Sequence, residues 1–167
     1  MNDAFPAAPL TVHEDDVRPE WIDYNGHMNV AFYILVFDRG VDGLFDRLDL
    51  GEAYRLRSGC SLFAVESHVT YRAEAKLGDR LRVDCQLLGA DDKRVRFFSR
   101  MLHVRSGALA ATYEGLAIHV DLATRRAVPF PADADGRLRA AVGAHAALPV
   151  PPEAGRGVGL RRAAASR

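Results

Sequence analysis

The segment VAFYILVF, Val30 to Phe37, runs for eight residues without a charge. It opens a longer pattern in which Val30, Ile34, Phe37, Val41, Leu44 and Leu48 recur at steps of three and four, while Asp38, Asp42 and Asp46 line another face. That spacing predicts a helix of about five turns. Because its first two turns are apolar all round, it calls for burial on every side instead of packing along one stripe. One flat layer cannot hide both sides of such a helix, so the rest of the chain must wrap it.

The remaining segments supply the wrap. LTVHEDDV, from Leu10, is the first β-favouring run. SLFAVESHVTYRA is β-branched and aromatic, and RLRVDCQLL alternates Leu81, Val83, Cys85 and Leu87 with Arg80, Arg82, Asp84 and Gln86. RVRFFSRMLHV and ALAATYEGLAIHVD complete the set. Breaks fall at KLGD around Gly78, at GADDK from Gly89 and at RSG before Ala108. Three short breaks in a row predict an antiparallel meander. LDLGEAYRLRSG reads as turn residues, and Pro131 to Gly143 as a short terminal helix. The fold class expected is therefore α+β: a curved antiparallel β-sheet wrapped around one long central helix, the hotdog architecture. Residues 1–9 read as a flexible lead-in, 10–142 as a single domain, and 143–167 as a disordered tail rich in Pro, Gly and Arg. A wrapped sheet still has edges and one uncovered face, which predicts a homo-oligomer, dimer or tetramer.

Composition narrows the function classes. A chain of 167 residues with 49% apolar and 26% charged residues has the balance of one soluble globular domain. Lys and Arg together number 22, as do Asp and Glu, so there is no basic surplus of the kind that nucleic-acid binding requires. Cys60 and Cys85 form no CxxC pair and no ligand cluster with the six histidines. That argues against a disulfide scaffold and a structural zinc site and for a reducing cytoplasm. MNDAFPAAPL lacks the cationic start and apolar core of an export signal, and no window approaches the roughly 18 apolar residues of a membrane span.

Chemistry concentrates where the helix begins. In PEWIDYNGHMN, Asp23, Asn25, His27 and Asn29 occupy alternate positions around Gly26. The first N–H groups of a helix lack intrahelical acceptors and the peptide dipoles make that end electropositive, so it stabilises developing negative charge. A carboxylate a few ångströms away could attack a carbonyl whose oxygen rests on the amides at Asn29 and Val30, or activate water to do so. Asp23, seven residues before Val30, stands where that carboxylate would be. Asp and Asn are also ordinary caps and turn residues, but capping needs one or two polar side chains and this junction offers four. A calcium loop would need Gly at its sixth position, and Gly26 is fourth from Asp23. Asp23, Asn25 and His27 have no second ligand cluster nearby in sequence, so no metal site is expected.

The string Asp23-x-x-Gly26-His27-x-Asn29, with Tyr33 four residues later, resembles the signature of hotdog-fold acyl-CoA thioesterases, the 4-hydroxybenzoyl-CoA thioesterase-like superfamily. RPEWIDYNGHMN, VESHVTY, KLGD, DDKRVRFFSRM, LAATYE and HVDLATRRAVPFP together resemble the branch of that family acting on betainyl-CoA in carnitine degradation, across roughly residues 10 to 140. The resemblance implies thioester hydrolysis with Asp23 as the carboxylate, Asn25 and His27 in the polar motif, and Asn29 and Val30 at the oxyanion-binding helix start. It implies a homo-oligomer with the active site at the dimer interface, and no cofactor, since coenzyme A is part of the substrate. Glu66 matches a recurrent acidic position, although a solvent-facing strand carboxylate would look the same. Gly115 departs from the pattern, where a polar residue usually follows the Glu of ATxE.

A betainyl group carries a quaternary ammonium, which proteins hold against aromatic rings. Trp21, Tyr24 and Tyr33 are the candidates nearest the motif, with Phe32 and Phe63 behind them. His68 and His119 read as structural strand histidines, and Cys60, without a neighbouring His, as a poor nucleophile. A generic short-chain or aromatic acyl-CoA thioesterase, a hotdog enoyl-CoA hydratase and a non-catalytic acyl-CoA binding module are the competing functions.

Overall fold

Helix α1 spans Val30–Arg47 and begins where the charge-free run does. Asn29 caps it, its side chain accepting a hydrogen bond from Ala31 N–H at 3.0 Å. The chain turns out of it after Leu48 at Asp49, whose φ of 54° lets Leu50 N–H reach back to Phe45 O and Asp49 N–H to Asp46 O. In the computed structural model, which describes residues 5–160, the elements around it are β1 (Leu10–Asp16), α2 (Glu52–Ser58), β2 (Cys60–Tyr71), β3 (Arg80–Ala90), β4 (Arg94–His103), β5 (Leu109–Asp121), a short β6 (Arg126–Ala127) and α3 (Ala132–His145).

The strands lie in the order β1-β3-β4-β5-β2, all neighbours antiparallel, with β6 pairing the end of β5. The curled sheet with its long helix is the hotdog arrangement, and β3 to β5 form the expected meander. β2 departs from it, pairing with β5 at the far edge instead of with β3. The KLGD break is not a hairpin but part of a crossover, residues 72–79, that passes the start of α1. Met28 N–H donates to Ala75 O, and Val17 and Gly78–Asp79 exchange backbone bonds before the chain enters β3 beside β1. The segment read as turn residues contains α2, which shows no apolar period because Tyr54 is its only buried residue.

Val36, Phe37 and Leu44 of α1 are fully buried in one core with Leu81, Val83 and Met101. Two glycines let the helix approach this closely. β1 carries one extra residue at Val12, where pairing jumps from Thr11 with Asp84 to His13 with Val83. A Cβ on Gly43 would collide with the Val12 carbonyl oxygen, and one on Gly40 would stand 2.9 Å from Val83 Cγ1. An ion pair between Arg39 and Asp15 joins α1 to β1 at the same flank. Burial there pushes the Asp15 carboxyl up, but hydrogen bonds from Arg39, Arg18 and His13 outweigh it and leave its pKa below the ordinary value.

Burial of α1 on every side is not met within one chain. Val30 is 54% exposed and Ile34 40%, and with Ala31, Asp38, Asp42 and Asp46 they make one exposed strip along the helix. The sheet stops short of that strip because β2 is its last strand. Phe63, Val65 and Tyr71 on β2 are exposed as well.

The chain ends also differ from a loose lead-in and tail. His145 donates from Nε2 to Ala8 O at 2.9 Å while its Nδ1 accepts from Leu87 N–H. Phe5 packs edge-on against the same ring. α3 runs three residues past the expected domain boundary, and the segment beyond it is described to Leu160 with contacts to the sheet at Pro149 and Gly155. Residues 1–4 and 161–167 lie outside the described residues.

At an ordinary helix position, Gly→Ala stabilises by roughly 0.5–1 kcal/mol. Gly43→Ala is expected to do the opposite, costing about 1–3 kcal/mol as α1 is pushed off the Val12 bulge. A urea midpoint equal to or above the parent's would show that this approach is not tight.

Candidate functional site

Residues 22–28 form a small closed loop. Ile22 pairs with Met28 in an antiparallel bridge, Asp23 N–H donates to His27 O, and Gly26 N–H donates to Asp23 O, each of the last two at 3.0 Å. The turn requires a φ of +79° at Gly26, a conformation glycine takes without steric cost. Asp23 Oδ1 accepts from Asn25 N–H at 2.8 Å, so the carboxylate is fixed by the loop's own backbone. The alternation of polar residues follows from this shape. Asp23 and His27 face one another across the base of the loop, with His27 Nδ1 3.9 Å from Asp23 Oδ1, while Asn25 is exposed at the tip.

Asn29 then joins loop to helix. Its N–H donates to Trp21 O, its side chain takes Ala31 N–H and its carbonyl takes Phe32 N–H. Val30 N–H makes no hydrogen bond among the described residues. One electropositive amide is thus left open beside a fixed carboxylate.

The facing wall comes from the crossover after β2. Tyr33 reaches it from α1, its hydroxyl donating to Ala73 O at 3.3 Å and accepting from the buried Ala75 N–H at 2.9 Å. Burial, only partly offset by the Ala75 bond, pushes the Tyr33 hydroxyl pKa up, so it stays a neutral donor. Tyr71 sets its ring edge-on against Tyr33 with centroids 5.2 Å apart. Between loop, helix start and crossover lies a cavity of about 510 Å³, lined by Asp23, Tyr24, His27, Met28, Asn29 and Val30 on one side and by Tyr33 and residues 71–74 on the other. A second cavity of about 430 Å³ follows the acidic strip of α1. Burial, with the charges of Asp38 and Asp46, raises the Asp42 carboxyl there. The start of α2 at Gly51 and Glu52 also opens into it, but among the described residues four carboxylates, Asp38, Asp42, Asp46 and Glu52, line it against the single Arg55, which disfavours developing negative charge.

The structure therefore gathers Asp23, Tyr24, His27, Asn29, Val30 and Tyr33 around one space. Asn25 contributes its backbone N–H and stands outside the lining. Trp21 is 3% exposed, stacked on Phe32, with the guanidinium carbons of Arg18 and Arg39 5.1 and 5.9 Å from its ring. Its π face is already occupied by the protein's own cations. Glu66 sits at a bulge on the edge strand, exposed and away from the cavity. His119 is buried and structural, its Nδ1 donating to Val128 O and its Nε2 accepting from Tyr54. Burial pushes the Cys60 thiol up, and the Cys85 thiol up to about 12, which leaves neither as a thiolate. Gly115 has a steric reason: a Cβ there would stand 2.5 Å from the Phe97 ring and 2.7 Å from Tyr113. Tyr71, Arg72, Ala73 and Glu74 are lining residues that no local pattern disclosed.

Known proteins resemble this chain over most of its length. The thioesterase-like superfamily matches residues 17–138. The chain is 42% identical to the betainyl-CoA thioesterase of Pseudomonas aeruginosa over 90% of its own length and 95% of that protein. It is 38% identical to the L-carnitine dehydrogenase/betainyl-CoA thioesterase of Rhizobium meliloti, covering 93% of this chain but 31% of that larger protein. A Staphylococcus aureus protein solved in complex with CoA superposes with a TM-score of 0.83 at 27% identity, over 92% of this chain and 97% of that one. The 1,4-dihydroxy-2-naphthoyl-CoA thioesterase of Synechocystis shares the fold, with a TM-score of 0.68 at 18% identity over 77% of this chain and 95% of that one.

Proposed function

The chain belongs to the thioesterase-like superfamily, and from that premise we propose that it hydrolyses betainyl-CoA to glycine betaine and CoA at the start of α1. The observation that carries this reading is the open Val30 N–H beside the fixed Asp23 carboxylate. The thioester oxygen accepts from Val30 N–H, where the helix dipole favours the charge that builds on it. Asp23 then takes the proton of the attacking water, or attacks the carbonyl carbon itself and is released by water afterwards. Either way the C–S bond breaks, the thiolate leaves and is protonated, and one water is consumed. Asn25 N–H holds the carboxylate in place, and His27 faces it across the loop. Water is the only co-reactant, so no cofactor enters, and an acyl-CoA substrate suits a cytoplasmic location.

The acyl group is assigned from its charge. The trimethylammonium of a betainyl group would face the Tyr33–Tyr71 corner, with Tyr24 at the mouth and Glu74 supplying a negative charge. This replaces Trp21, whose ring is covered. The 42% identity to the Pseudomonas aeruginosa enzyme supports the same substrate.

A second copy of the chain completes the fold in this reading. β2 runs beside the exposed strip of α1, Val30 sharing a cavity with Tyr71 and Asp38 and Asp42 sharing one with Ser61, Leu62 and Ala64, and pairing two such surfaces would cover the apolar residues of both. The active site then lies at the dimer interface.

Three outcomes test the proposal. Asp23→Asn is expected to lower thiol release by about 10²-fold or more with the melting temperature unchanged, and a rate within a few-fold of the parent's would remove Asp23 from the chemistry. Betainyl-CoA should be preferred over its neutral tert-butylacetyl-CoA isostere by about three- to thirty-fold in kcat/KM after correction for uncatalysed hydrolysis, since a cation–π contact is worth about 0.5–2 kcal/mol. Tyr71→Leu should shrink that preference, and equal corrected values in the parent would return the substrate to a generic acyl-CoA. Light scattering on the active protein should give a dimer or larger, and a fully active monomer would rule out the shared site.

A further inference from the structure

The segment after α3 is laid across the sheet as a strap. Gln86, Phe98 and Glu114 stand side by side on β3, β4 and β5. Phe97 belongs to the main core, so strand alternation turns Phe98 to the opposite face. Phe98 is nonetheless only 2% exposed. The strap is fastened on either side of it: Gln86 Nε2 donates to Pro149 O at 3.4 Å, and Gly155 N–H donates to the Glu114 carboxylate at 2.6 Å. The next residue in the row is His68 on β2, paired with Glu114. There the strap arrives at the edge strand.

At that edge Arg156, His68, Thr70 and Arg72 line an open groove of about 660 Å³. Arg72 also lines the Asp23 cavity, so the groove and the cavity meet at one residue. Arg96, nearby, is taken up by Glu114. Arg72 and Arg156 make no ion pair among the described residues. Among the described residues, Glu153 is the one carboxylate lining the groove.

We propose that this groove holds the phosphates of the 3′-phospho-ADP end of the substrate, with the strap serving to fix Arg156 there. The proposal rests on the acyl-CoA reading and deepens it. Coenzyme A is a long molecule with its thioester at one end and a diphosphate and a 3′-phosphate at the other. The cavity around Asp23 has work for the thioester end alone. Guanidinium groups match phosphate oxygens through paired N–H donors, and two of them stand unpaired on the path that leaves the cavity. Pinning the strap at Pro149 and Gly155 fixes the backbone next to Arg156, which lowers the ordering cost of each contact.

Titration of the full-length protein with adenosine 3′,5′-bisphosphate tests the groove without any turnover. The parent should bind it, more weakly as salt rises, and Arg156→Ala should weaken binding about tenfold, the scale of one charge-assisted contact. In parallel, the ratio of kcat/KM for an acyl-CoA over the same acyl-pantetheine should fall about tenfold in Arg156→Ala. No binding by the parent, equal binding by parent and variant, or an unchanged ratio would each overturn the proposal. If the parent releases thiol from neither ester, the hydrolysis reading fails, while the nucleotide titration still decides the groove.

Discussion

The first amide of α1 has no acceptor within the described chain, and the surrounding structure keeps it that way. Asn29 satisfies the next two N–H groups and bonds back to Trp21, so the cap is complete except at Val30. Tyr33, one turn along, ties the same helix end to the crossover at Ala73 and Ala75, while Met28 ties the preceding loop to Ala75. Removing the Tyr33 hydroxyl would leave the buried Ala75 N–H unpaired, which ordinarily costs about 1–3 kcal/mol. The unsatisfied amide is held between two anchored segments, with a carboxylate fixed by a third.

The same constraint explains the sheet order. A chain that must bring residues 72–75 against the helix start cannot turn back at Tyr71 to form a hairpin with β3. It leaves β2 at the far edge, crosses the helix end and enters β3 beside β1. The crossover wall of the cavity and the unpaired edge of the sheet are thus products of one route. The exposed strip of α1, apolar at Val30 and Ile34 and acidic from Asp38 to Asp46, belongs to the side that this route leaves uncovered.

Much of this was legible in the sequence, and the gaps have physical causes. The helix could be read because its periodicity is long, and β3 to β5 because short turn signals separate them. The motif could be read because four polar side chains at one helix start exceed what a cap needs. What depends on contacts far apart in sequence could not. Nothing local in TYRAEA announces that Tyr71 and Glu74 meet Asp23, and nothing in EWIDY announces that Trp21 turns inward under Arg18 and Arg39. α2 stayed hidden because a seven-residue helix with one buried side chain has no period. The strap looked loose because its attachments are a carbonyl at Pro149 and an amide at Gly155, which composition does not reveal.

In the proposed mechanism the thioester oxygen rests on Val30 N–H. A betainyl-CoA analogue with the sulfur replaced by a methylene group keeps that carbonyl and cannot be hydrolysed. In ¹⁵N-labelled protein titrated with this ketone, the Val30 amide should show the largest downfield proton shift, as a new hydrogen bond produces. Saturation of the protein by the analogue with the Val30 resonance unmoved would show that the carbonyl oxygen does not bind at this amide.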